Sequence, residues 1–255
     1  MSKALRITYI IIFLLVLYFP IAVLVANSFN SSIYGIKWGG FTIKWYQKVI
    51  ENFALMEALR NSLVLASTSA LCTSVIATMS AFSFYRYKYI GRKVIYSFIQ
   101  VMIVLPDIII GIGLLLLFVL LKVELGYFTL LISHISLSLP FAIIIIFIGF
   151  KRLDRNILEA AKDLGASDYE VLSKIIFPII FPNILSAYLI AFTLSLDDVL
   201  VSHFVSGSNY EILPLVIYSL AKFGIKTEVN ALCTFMLLLS ILFVGLSQTL
   251  MRKKL

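Results

Sequence analysis

The chain has 255 residues, of which 61% are hydrophobic and 13% charged, with a net charge of +8 and a mean hydropathy of +1.04. So few charges exclude an ordinary soluble domain, where about 25% of residues are charged, and so much apolar content excludes disorder. The basic residues sit between apolar runs rather than on one folded face, which excludes a nucleic-acid binder.

Six apolar runs predict an all-α integral membrane protein with six transmembrane helices. The runs are continuous rather than alternating, so helices rather than a barrel are required. The first, Ile7 to Asn27, follows Lys3 and Arg6. It exceeds the apolar core of a signal peptide, about 7–15 residues, and is read as a retained span. The segment from Ser28 to Arg60 follows, with Trp38 and Trp45 flanking Gly39 and Gly40. Tryptophans beside a span sit at the membrane interface. Trp45 is also a candidate for the substrate pathway, where its ring would add cation–π contacts.

The second run, Ser62 to Phe84, is rich in small polar residues, which let helices approach closely. The third is Val94 to Leu121, and the fourth, Phe128 to Phe150, carries Ser133, His134, Ser136 and Ser138. Interhelical hydrogen bonding explains these, and a functional polar site is the alternative for His134. The fifth run is Asn183 to Val205 and the sixth Val229 to Met251. Cys72 and Cys233 lie alone in apolar runs and match no metal-ligand spacing.

With both termini in the cytoplasm, 14 of the 21 basic residues fall on the cytoplasmic side and 7 outside. The excess charge is therefore a topology signal. Three acids remain inside spans: Asp107, Asp197 and Asp198. Each would cost about 2.5–3.5 kcal/mol at a bilayer centre. No lysine or arginine lies in a span to offset them. On straight helices Asp107 and Asp197 would each lie about 20 Å from the inner surface, just past the midplane of a core about 30 Å thick. Pro106 precedes Asp107 and can break the helix there. The acids read as a cation site, or as neutral groups in interhelical hydrogen bonds. An intramembrane aspartyl protease also uses two carboxylates, but its G-x-G-D pattern is missing, as is the H-E-x-x-H of a zinc protease.

Residues 151–182 form the longest segment expected in the cytoplasm. Asp154 is placed to cap a helix with a stripe of Leu153, Ile157, Leu158, Ala161 and Leu164, which Gly165 would stop. Ser167 and Glu170 have capping-box spacing for a second helix, limited by Pro178 and Pro182. The pair would lie on the membrane surface or dock another protein.

The order Glu159-Ala160-Ala161, Gly165, Ile175 and Phe177-Pro178 resembles the EAA loop of ABC importer permeases, with phenylalanine where leucine is usual. Ser28-Phe29-Asn30, Gly40-Phe41-Thr42, Trp45-Tyr46, Pro106-Asp107-Ile108 and Leu194 to Val199 are similar to spermidine/putrescine permeases of the PotC type. So are Leu213-Pro214-Leu215 and Glu228-Val229-Asn230-Ala231, although Thr227 stands where that family commonly has proline. The resemblance implies a single MetI-like transport domain over residues 1–255 in a bacterial cytoplasmic membrane. It implies polyamine import through Asp107, Asp197, Asp198 and Trp45, with Glu159, Ala160, Ala161 and Gly165 coupling to an ATPase. The implied partners are a PotB-type permease, two copies of a PotA-type ATPase and a PotD-type substrate-binding protein.

No cofactor is expected in this chain. Gly35 and Gly40 have Walker spacing, but Phe41 replaces the lysine, so Mg-ATP would belong to the partner. Other cationic or small organic solutes are the alternative substrates. An ion-coupled carrier is the alternative of a different class.

Overall fold

The computed structural model describes residues 3–153, 157, 161, 163–222 and 226–252. Among these the chain is nearly all helical, apart from one antiparallel bridge between Asn30 and Phe41. The helices are α1 (Lys3–Ser28), α2 (Lys44–Glu51), α3 (Phe53–Arg86), α4 (Arg92–Val104), α5 (Asp107–Leu120), α6 (Tyr127–Lys151), α7 (Phe177–Asp197), α8 (Leu200–Val205), α9 (Leu213–Lys222) and α10 (Thr227–Arg252). Helix α1, α3, α6, and α7 with the turn before it, are long and apolar enough to cross a membrane, and α4 and α5 reach that length only when taken together across their bend. The sixth apolar run lies within α10.

The third run is not one straight helix. The chain bends by 112° between α4 and α5. Pro106 lacks a donor and pushes Leu105 to extended backbone (φ −64°, ψ 134°), which ends α4. Asp107 is then in the first turn of a new helix, and its depth cannot be counted from Val94. The fifth run is broken as well. Helix α7 stops at Asp197, Asp198 is extended (φ −68°, ψ 120°), and α8 starts two residues later.

Pro178 and Pro182, expected to stop the second loop helix, do not. The chain runs from Asp168–Glu170 through a π-helical turn, Val171–Ile176, directly into α7, with Pro178 in its first turn. Proline lacks the N–H that a continuous helix would use at this point. The wider π turn absorbs the change in hydrogen-bond register.

The chain divides into two compact units: residues 1–59 with 216–246, and 60–215 with 247–255. In the first unit, residues 5–23 of α1 are exposed on every face. Such a surface suits lipid, because the helix satisfies its own backbone. The turn after α1 closes on Asn30. Its amide donates to Lys37 O (3.0 Å), its carbonyl Oδ1 accepts from Gly39 N (2.9 Å) and Ser32 N (3.1 Å), and its backbone oxygen accepts from Trp45 Nε1 (2.7 Å). Thr227, at the head of α10, donates Oγ1–H to Ser32 O (2.5 Å) and its N–H to Ile33 O (2.8 Å). The proline common at this position in the resembling family could make neither bond.

In the second unit, Ala77 and Ala81 of α3 are fully buried against Ile146 and Phe150 of α6, with Ile180 and Ala187 of α7 in the same cluster. The polar residues of α3 take part in this packing. Thr73 Oγ1 and Ser138 Oγ are 3.0 Å apart between α3 and α6. A second cluster joins Leu65, Phe118, Leu130, Val201 and Ile212. Gly111 lets α5 lie close on α8, since a Cβ there would come within 2.9 Å of the Phe204 ring and 3.2 Å of Val201 Cα.

Candidate functional site

Asp107 and Asp197 each stand at one of the two helix breaks. Asp107 opens α5 and Asp197 closes α7, and both side chains are exposed. They lie within electrostatic reach of each other and of Asp198. Their settings differ. Asp107 sits at the positive end of its helix, which favours a carboxylate. Asp197 sits at the negative end of its helix, next to the carbonyls of the last turn, which disfavours one. The charged groups acting on Asp197 are Asp198 and Asp107, all of one sign. A cation entering here would meet two exposed carboxylates.

Asp198 is placed differently from the pathway role expected of it. It is buried, 7% exposed, and caps α8. Oδ1 accepts from Val201 N (3.2 Å), and Oδ2 accepts from Ser202 N (2.7 Å) and Ser202 Oγ (2.7 Å). An acid at this position both fills the free donors of the first turn and complements the helix dipole. Its oxygens are therefore occupied by the fold. Asp198→Ala is expected to lower the stability of the purified protein by about 2–4 kcal/mol, combining loss of a cap with unsatisfied buried donors. Thermal unfolding in detergent would read this as a lower Tm. An unchanged Tm would contradict the capping role.

His134 lies in this network and is 1% exposed. Nδ1 is 2.6 Å from Ser195 Oγ on α7, and Nε2 is 2.9 Å from Ser202 Oγ on α8 and 3.6 Å from Asp198 Oδ2. Ser69 of α3 donates to Ser195 Oγ at 3.2 Å. Sequence reasoning flagged His134 but not its partners, which lie 61 and 68 residues further on.

Trp45, expected to face substrate, is 4% exposed, and its indole N–H is held by Asn30. Lys44 Nζ and Lys48 Nζ already stand over its ring, 4.6 and 5.2 Å from the centroid. Its surroundings give it a structural role in the segment after α1. Trp38 is the exposed tryptophan.

In the loop after α6, Glu159 and Ala160 lie outside the described residues, as do Asp154 and Leu158. Ala161 and Ala166 pack against the cluster around Phe150, where Leu153, Val171 and Ile176 are buried. Gly165 takes φ +84°, and Ala166 N donates to Ala161 O at 3.0 Å. This is a Schellman stop, in which the left-handed position favours glycine. Ser167 and Glu170 form the expected capping box: Ser167 N donates to Glu170 Oε2 (3.1 Å) and Glu170 N donates to Ser167 Oγ (3.3 Å). The Lys174 ammonium, 2.8 Å away, and the Ser167 donors hold the Glu170 carboxyl down at about 2. The apolar stripe is thus divided. Its inner half binds the loop to its own helices, and Ile157, Leu164 and Tyr169 remain exposed.

Residues 71–255 match the family of binding-protein-dependent transport system inner membrane components. The chain is 46% identical to the spermidine/putrescine transport system permease protein PotC of Escherichia coli K12, over 93% of this chain and 90% of that protein. It is 43% identical to the PotC protein of Haemophilus influenzae, over 93% and 92%. It is 36% identical to the putrescine transport system permease protein PotI of Escherichia coli K12, over 87% and 81%. The chain belongs to this family of inner-membrane permeases.

Solved structures agree on the permease fold. A bacterial ABC transporter for the import of alginate superposes with a TM-score of 0.71 at 18% identity, covering 99% of this chain and 98% of that one. The MetNI methionine transporter gives 0.67 at 16%, covering 80% and 99%. The permease is a transport subunit of the MetI-like architecture rather than an enzyme. It is a multi-pass component of the cytoplasmic membrane, and the system it serves depends on a binding protein.

Proposed function

We propose that this permease moves polyamines as the PotC-type subunit of an ATP-driven importer, with Asp107 and Asp197 as the cation pathway. One observation carries the reading. Two exposed carboxylates stand at the two helix breaks, Asp107 opening α5 and Asp197 closing α7, and the charged side chains acting on Asp197 are both acidic. A flexible chain of ammonium groups supplies the missing countercharge at more than one point. A single monovalent cation would neutralise only one acid. The relatives named for spermidine and putrescine support this choice of substrate.

In this reading the PotC-type subunit pairs with a PotB-type permease. Two PotA-type ATPases bind Mg-ATP and engage the loop containing Glu159, Ala160, Ala161 and Gly165, and a PotD-type protein delivers substrate. The exposed Ile157, Leu164 and Tyr169 give that loop an apolar outward face suited to a protein groove. The test is uptake of labelled spermidine and putrescine by the assembled transporter in proteoliposomes. Uptake is expected with internal ATP and the binding protein, and not with a proton gradient alone. Uptake driven by the gradient without ATP would overturn the importer in favour of a carrier. ATP-driven uptake that excludes both polyamines would overturn the substrate.

A further inference from the structure

We infer that His134 is a positioning residue for transport: it straps the break between α7 and α8 and so fixes Asp197 at the surface beside Asp107. The inference rests on the acid-pair reading for its effect on uptake, but its geometry stands separately. The protons in the network run in one direction. Ser202 has one hydroxyl proton, and Asp198 Oδ2 takes it at 2.7 Å. Ser202 Oγ can then only accept from His134, so Nε2 carries the ring proton. Nδ1 of the neutral ring accepts from Ser195 at 2.6 Å, and the one proton of Ser69 is shared between Ser195 Oγ and Ala66 O, each 3.2 Å away. Among the described residues no buried side-chain nitrogen or oxygen lacks a partner.

The two attachment points flank the break. Ser195 is two residues before Asp197 on α7, and Ser202 is in α8. Between them the helix is interrupted, because the backbone is extended at Asp198 (φ −68°, ψ 120°). The rigid imidazole of α6 spans this gap and ties both helix ends to one point. Helix α8 in turn packs on α5 at Gly111, one turn from Asp107. The separation of the two exposed acids therefore depends on a residue that touches neither of them. Losing one tooth of the strap lets α7 and α8 turn independently. It also leaves Ser195 or Ser202 with an unpaired buried group.

Glutamine distinguishes a strap from mere bulk, because its amide has one acceptor and one donor that can replace Nδ1 and Nε2–H. The first measurement uses the assembled transporter with Asp197→Cys in a Cys72→Ser, Cys233→Ser background. A water-soluble thiol reagent reports on position 197 without requiring substrate. Labelling is expected at equal rates with His134 and His134→Gln, and to change about tenfold with His134→Leu. Equal labelling in all three, or an equal change with Gln and Leu, would overturn the strap.

The second measurement is uptake with Asp197 intact. His134→Leu is expected to raise the polyamine KM about tenfold with less than a twofold change in kcat, and His134→Gln to restore KM. A fall in kcat at constant KM would overturn the positioning role. If the leucine variant does not assemble, Ser202→Ala removes the single hydroxyl relay and leaves the backbone cap. It is expected to shift labelling in the same direction by a smaller factor, and unaltered labelling would overturn the inference. If Asp197→Asn keeps the wild-type KM while labelling still follows His134, the strap stands and the acid-pair reading falls.

Discussion

Asp197→Asn is expected to raise the KM for polyamine uptake about 30-fold and at the same time leave the protein as stable as before, or slightly more so. A unit charge at about 4 Å is worth about 4 kcal/mol at an effective dielectric near 20. Competing hydration of both groups leaves roughly half of that, and about 2 kcal/mol is a factor of about 30. The gain in stability has a separate cause. Asp197 is a carboxylate at the negative end of α7, under repulsion from Asp107 and Asp198. Removing its charge relieves that repulsion. Asp107→Asn should also raise KM, but it gives up a favourable helix-end interaction, so its Tm should not rise. On the acid-pair proposal the double variant should lose less than the sum of the two. Uptake kinetics with Tm on the same samples would check this. Wild-type KM in both single variants would remove these acids from the pathway. A large loss of stability in Asp197→Asn would mean that its role is structural, as that of Asp198 is.

Gly165→Pro is expected to uncouple the transporter, lowering polyamine moved per ATP hydrolysed at least tenfold while the protein remains inserted and assembled. Proline is locked near φ −65°, whereas Gly165 stands at +84°. The Schellman turn cannot form, and the bond from Ala166 N to Ala161 O is lost. The inner half of the loop, held by Ala161 and Ala166 against the helices, would then no longer be a stiff lever. Smaller changes grade the effect. Gly165→Ala meets no atom within 4 Å and carries only the left-handed penalty of about 1–2 kcal/mol. Gly165→Asn, which tolerates that region better, should couple nearly as wild type. A proline variant with a normal transport-to-hydrolysis ratio would show that this turn does not transmit motion.

Much of the fold is legible in the sequence because the signals are local. A run of apolar residues forms a helix in lipid whatever its neighbours do, since the backbone has no other partner there. Pro106, Gly165 and the Ser167–Glu170 pair act within four residues, so the break, the stop and the cap can be read directly from the order of residues. The acids stand out for the same reason, because each is costly in its own span.

What differs from the sequence reading depends on partners distant in the chain. Asp197 and Asp198 are adjacent and alike in sequence. One is exposed beside Asp107 and the other is buried as a cap, because α7 ends between them and α8 needs an acid at its start. Trp45 carries the same indole whether it meets substrate or Asn30, and only the folded turn after α1 decides. His134 reads as a packing residue along the chain, and its two serines are brought to it by helix packing across more than 60 residues. The sequence by itself determined where most helices start, stop and break, because those choices are made by near neighbours along the backbone. The tertiary structure decided which polar groups are left exposed, because that depends on which of them other helices have already satisfied.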